Sequence, residues 1–238
     1  MPTNPRKEAV IKYHFSKTAI IISACLTASL SALAQAPSKP QAEASKPVVT
    51  ADDFEQLGSR RFREGRFAES VAAFDQELKL APQRATWHWK RGISLYYAGR
   101  YADGAVQFAN YQMVDDNDVE NAVWRFLCQA RDPNLGVEAA RQRLLPIKDD
   151  RRIPLMEIYR LFKGTSEPGK VLMNCREDSP TDEELNQRLF YAHLYLGLFA
   201  EIEGRLDDAR EHLKAANDRR IDHYMGDVAA VHLRLLNR

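Results

Sequence analysis

The chain has 238 residues, 45% of them hydrophobic and 28% charged, with 34 basic groups against 33 acidic ones. Such a chain can bury one continuous core and needs no second domain. A formal net charge of +1 argues against a nucleic-acid binder, and the basic pairs Arg60-Arg61 and Arg219-Arg220 read as solvated helix faces.

In chain order, Arg6, Lys7, Lys12 and Lys17 precede an uncharged, mostly apolar or small stretch, 18–34, which ends in Ala32-Leu33-Ala34. This is the pattern of a secretory signal peptide over 1–34, with small residues where a signal peptidase reads. At 17 residues the stretch falls short of the roughly 20 that cross a bilayer. The expectation is an extracytoplasmic protein, periplasmic or secreted, with no membrane span in the mature chain. Two alternatives stand beside it: a retained anchor, and a lipoprotein acylated at Cys25 within Ile22-Ser23-Ala24-Cys25. Without the first 34 residues, 30 basic and 32 acidic groups remain. Residues 35–50, rich in Ala, Pro, Ser and Lys, predict a flexible linker.

Helical spacing begins after Thr50, a candidate N-cap with Asp53 three residues on. Gly58, Gly65, Arg66, Phe67, Ala68, Glu69 and Phe74 then recur 34 residues later as Gly92, Gly99, Arg100, Tyr101, Ala102, Asp103 and Phe108. Gly197, Gly204, Arg205, Leu206 and Ala209 repeat the same internal spacing. A small residue follows each first glycine by twelve positions (Ser70, Gly104, Ala209), which predicts two antiparallel helices in close approach. A helical glycine costs roughly 1 kcal/mol against alanine, so it needs such a reason. The second glycine falls where the first helix should end, in a left-handed turn. Phe67, Val71, Phe74 and Leu78 form an apolar stripe beyond it, as do Leu206, Ala209, Leu213 and Ala216. Each unit therefore reads as helix, glycine turn, helix. Between the copies, 120–130, 135–145 and 153–162 show softer helical spacing interrupted by Pro133, Pro146, Pro168 and Pro180. Thr181 with Glu184 caps a long helix carrying Tyr191 to Ile202, and Asp222 to Asn237 reads as a terminal capping helix.

These residues resemble the tetratricopeptide repeat family. The match is strong over 51–118 and 182–217, although Glu77 replaces the usual small residue and Asp116 the closing proline. The resemblance implies an all-α, right-handed superhelix of stacked antiparallel helix pairs over 51–238. Clear repeats would occupy 51–84, 85–118 and 190–223, with degenerate helix pairs in 119–189. It also implies a concave groove lined by the first helix of each repeat. The corresponding positions are Asp52, Glu55, Ser59, Phe62 and Arg63, then Thr86, Trp89, Ile93, Tyr96 and Tyr97. Arg63, Trp89, Ile93, Tyr96 and Tyr97 are the candidate peptide-binding residues, because large aromatics and arginine suit a binding hot spot. The competing reading packs Trp89 and Tyr96 against a neighbouring helix. Trp87 and Trp124 are expected inside. A basic carboxylate clamp is missing, as Glu55 and Trp89 stand where lysine would be wanted.

The sequence carries no phosphate loop, nucleophile elbow or paired-histidine zinc signature, so no cofactor, metal or catalytic residue is expected. Cys128 and Cys175 either form a disulfide or sit as separate buried thiols. The reading is a non-catalytic adaptor or scaffold that binds a protein or peptide segment. A metal-dependent enzyme or small-molecule binder using His223, Asp227 and His232 is the alternative from another class. A homo-oligomer contacting through its end faces is a third reading.

Overall fold

The computed structural model describes residues 49–219 and 221–238; the expected signal peptide and nearly all of the linker lie outside them. Eleven α-helices and one 3-10 helix make up the regular structure of the described residues, with no strand among them. Helix α1 (Ala51–Arg63) packs on α2 (Phe67–Leu80), and α3 (Trp89–Tyr97) on α4 (Tyr101–Tyr111). Helices α5 (Val119–Arg131) and α6 (Gly136–Gln142) form a pair, as do α7 (Leu155–Lys163) and α8 (Pro168–Asn174). Helices α9 (Asp182–Ile202) and α10 (Leu206–Asp218) form the last pair, followed by α11 (Tyr224–Leu236). The architecture is an all-α, tetratricopeptide-like solenoid built from adjacent helix pairs.

Helix α1 starts in a capping box: Thr50 Oγ1 accepts from the Asp53 amide at 3.2 Å, and the Asp53 carboxylate accepts from the Thr50 amide at 2.8 Å. Thr181 and Glu184 do the same for α9. Inside the regular pairs the glycines have a steric cause. A Cβ on Gly58 would stand 2.5 Å from the Phe74 ring, on Gly92 2.6 Å from Phe108, and on Gly197 2.6 Å from Leu213. The space left by each missing side chain is thus filled by the bulky residue sixteen positions later. The residue twelve positions later closes the same contact, and Ser70 Oγ donates to the Gly58 carbonyl at 2.8 Å. Gly65 ends α1 with φ +76°, and the Arg66 amide reaches back to the Arg61 carbonyl at 2.9 Å. Such a 6→1 bond satisfies a carbonyl left over at the helix end. Gly99 and Gly204 repeat it with Arg100 to Leu95 and Arg205 to Ala200.

Between α2 and α3 the chain departs from the repeat. Residues Pro82–Trp87 form the 3-10 helix, so α3 begins only at Trp89 and has nine residues. Thr86 therefore lies ahead of α3, and Trp87, expected inside, is 51% exposed. Its indole nitrogen donates locally to the Gln83 carbonyl at 3.1 Å. This junction also explains Glu77, the large residue at a small position. Buried Glu77 accepts from Arg84 of the 3-10 helix at 3.1 Å and binds His88 Nε2 at 2.7 Å. His88 Nδ1 accepts from the Arg91 amide, so the neutral ring donates through Nε2 and caps α3.

One continuous apolar cluster runs from Phe62 to Val231. Helix α9 contacts α5, α7, α8 and α10, and it buries Phe190, Leu194, Tyr195 and Leu198. Trp124 is buried, as expected. Cys128 and Cys175 are separate buried free thiols, and burial pushes the Cys175 thiol up to about 11. Helix α11 covers α10 and also reaches α1, so the last described helix touches the first.

Candidate peptide-binding groove

The inner face of α1 and α3 meets the chain's own α11. Tyr224, the first residue of α11, stacks on Phe62 with ring centroids 5.1 Å apart and meets Trp89 edge-on at 5.3 Å. Trp89 is half-buried and also stacks on His223 at 6.0 Å. The Tyr97 hydroxyl bonds His232 Nδ1 at 2.8 Å. Arg63 pairs with Asp227 at 3.3 Å, and its carbonyl accepts from Arg234 at 2.7 Å.

This packing corrects part of the expected groove. Ile93 and Tyr96 are 1% and 5% exposed, and Tyr96 packs edge-on against Trp124 of α5 at 5.5 Å. Tyr96 packs into the core, as the competing reading has it, whereas Ile93 is buried yet lines the recess between α3, α4, α5 and the start of α11. Arg63, Trp89 and Tyr97 keep part of their surface, each already engaged by α11.

The accessible inner surface lies beside α11 as three recesses that all include His223. One, of about 430 Å³, is lined by Glu55, Ser59, Arg63, Lys90 and Asp227. Another, of about 540 Å³, runs along α9 past Glu183, Asn186, Gln187 and Tyr191. The third, of about 200 Å³, lies between α3, α4, α5 and the start of α11. Trp89, Phe108, Tyr111 and Trp124 wall it, and Asp118, Glu120, Asn121 and Arg152 line its polar side.

The polar side has its own logic. Arg152 leaves the long connection between α6 and α7 and bonds three carboxylates: Asp150 at 2.6 Å, Asp118 at 2.8 Å and Glu120 at 3.0 Å. Asp150 also accepts from the Val119 amide at 3.1 Å, which pins this connection to the first turn of α5. Glu120 accepts from the Tyr195 hydroxyl at 2.7 Å. Burial and the neighbouring Asp118 charge raise its carboxyl to about 7, against the pull of Arg152 and Tyr195. One guanidinium thus serves three carboxylates, leaving an excess of negative charge.

A second polar cluster lies under α11. Arg131 binds Glu201 at 2.6 Å, and His232 Nε2 lies 3.1 Å from the other Glu201 oxygen. Burial alone would raise Glu201, but His232 and Arg131 prevail and hold it at about 2. This placement bears on the alternative site. His232 is engaged with Glu201 and Tyr97, while His223 accepts from the Met225 amide at the helix start, nine residues away. Nine residues of helix span about 13 Å, too far for one ion. Among the described residues no group of three or more His, Cys, Asp or Glu side chains has the arrangement of a metal site.

Glu120, Asn121, Arg152 and Tyr191 were not singled out from sequence. Arg152 comes from an irregular connection with no period to follow, and Glu120 gains its meaning only from the burial that Arg152 and Tyr195 complete. No described helix is long and apolar enough to cross a membrane. In comparison with known families, residues 56–113 match the tetratricopeptide repeat. The match covers α2, α3 and α4 with most of α1, the region where Gly58 and Gly92 receive their aromatic rings. It supports a tetratricopeptide-type protein whose general role is interaction with other proteins.

Proposed function

We propose that this protein is a non-catalytic adaptor of the cell envelope or exterior that holds a protein segment along its inner surface. The observation that carries this reading is the set of recesses meeting at His223, walled by the half-buried aromatics Trp89 and Tyr191. Aromatic side chains bury large areas with few rotors to freeze, which favours them as anchors. The bound segment runs beside α11, between α3 and α9. The basic, then apolar, residues of 1–34 support an extracytoplasmic location.

Capture with the chain from residue 35 onward tests the reading. Trp89→Ala with Tyr191→Ala should reduce recovery of partners at least tenfold while the circular dichroism stays helical. Unchanged recovery of every partner would reject the groove. Tyr96→Ala is unsuitable here, since it empties a core position and confounds binding with stability.

A further inference from the structure

We infer that the recess of about 200 Å³ beside Trp89 is a pocket for an alkylammonium group, the end of a lysine side chain in the bound segment. The inference rests on the adaptor reading and names the chemistry its partner brings. Four observations support it.

The volume is below the roughly 300 Å³ from which drug-sized ligand sites begin, so it suits a single side chain. One deeply buried acceptor on a residue that lines the recess has no partner, Asn121 Oδ1, on a residue 3% exposed. A buried polar atom left unpaired is costly, and such an acceptor seeks a donor such as an ammonium group. The charge favours a cation as well. Arg152 is already bonded to Asp150, Asp118 and Glu120, so an incoming anion would meet carboxylates and no unengaged guanidinium. The walls complete the argument, because the aromatic residues Trp89, Phe108, Tyr111 and Trp124 line the recess and suit an alkyl stem ending in a cation. Trp89 already serves a cation within the chain: Lys90 Nζ lies 5.7 Å from its ring centroid.

Indole fluorescence of the chain from residue 35 onward, titrated with small probes, tests this. The probes are n-butylammonium chloride, sodium butyrate, and blocked Ala-Lys-Ala and Ala-norleucine-Ala tripeptides. Butylammonium and the lysine tripeptide should give saturable changes, with butyrate and the norleucine tripeptide at least tenfold weaker. Glu120→Gln keeps the hydrogen-bonding shape but removes the charge, and should cut the preference for the cations at least fivefold. Trp89→Leu, at the half-buried mouth, serves as a second variant should Glu120→Gln lose its helical circular dichroism; it should weaken both cations similarly. Equal or tighter binding of butyrate or norleucine, or a preference that neither variant moves, overturns the pocket. Butylammonium binding without the lysine tripeptide overturns the side-chain assignment and points to a free amine. A failed adaptor reading looks different, as partner capture would then ignore Trp89 and Tyr191 whatever the probes do.

Discussion

The regular hairpins α1–α4 and the intervening segment 119–181 solve one problem by different means. In the hairpins, helices come together because a backbone without Cβ receives a ring: Gly58 takes Phe74 and Gly92 takes Phe108. In the intervening segment, α5 is held by a polar clasp. Asp150 and Arg152 reach from an irregular connection onto its first turn, and Asn117 accepts from the amides of Lys148 and Asp149. Steric fit repeats readily, because one residue at each of two positions specifies it. The clasp needs four charged groups and does not repeat. The difference teaches where recognition can reside, since the clasp places unevenly balanced charge on one side of an opening whose aromatic walls come largely from the ring-filled hairpin α3–α4.

The largest effect should come from breaking the steric side of that contrast. Gly92→Ala drives a methyl into the buried Phe108 ring and should cost about 3 kcal/mol in denaturant unfolding. Gly169→Ala in α8, where nothing lies within 4 Å, should be neutral or stabilise by up to about 1 kcal/mol. Equal costs at the two sites would remove the steric account. Combining Gly92→Ala with Phe108→Ala should cost less than the sum of the single changes, which would locate the clash in that pair.

Breaking the clasp should cost less. Arg152→Ala leaves Asp150, with a side chain 5% exposed, and Glu120 without their cation. About 2 kcal/mol is expected, below the 3–5 kcal/mol of a fully buried pair, because half of Arg152 faces water. The same unfolding titration reads it, and a loss below that of a surface arginine would show that the clasp does not hold α5.

A smaller, pH-dependent effect sharpens the comparison from the α9–α10 pair. His193 Nδ1 lies 3.0 Å from His212 Nδ1, and burial, then His212 and Arg219, lower His193 from 6.5 to about 4. The folded state therefore binds fewer protons than the unfolded state between these values. Its stability should fall as pH drops from about 6.5 towards 4. His193→Gln should flatten that slope in unfolding curves taken at several pH values. Glu120, raised to about 7 from 4.5, contributes with the opposite sign, losing stability as pH rises through 7. The two windows overlap, so the difference between wild type and His193→Gln isolates the His193 slope, and Glu120→Gln removes the other.

Much of the fold was legible because its cause is local and periodic. Gly58, Gly65, Gly92, Gly99, Gly197 and Gly204 state where helices touch and turn, and the structure uses them so. The partner of each first glycine was half visible: Phe74 and Phe108 recur at the same 34-residue offset, but the offset does not say that their rings fill the space beside Gly58 and Gly92. The groove was legible only as a helix face. Tyr96 has the composition of a binding stripe, but Trp124 of α5 packs over it, and no period within α3 records that later helix or the α11 that engages Trp89 and Tyr97. Trp87 fell outside because Pro82 opens a 3-10 turn before the next helix starts.

The contact of α11 with α1 changes how the array comes apart. A linear stack loses its terminal units first, each held by one neighbour. Here the first and last described helices brace one another through Arg63, Asp227 and Arg234, so neither melts without releasing the other. Opening the inner surface wide enough for a thick partner therefore amounts to unlatching a ring rather than fraying a rod.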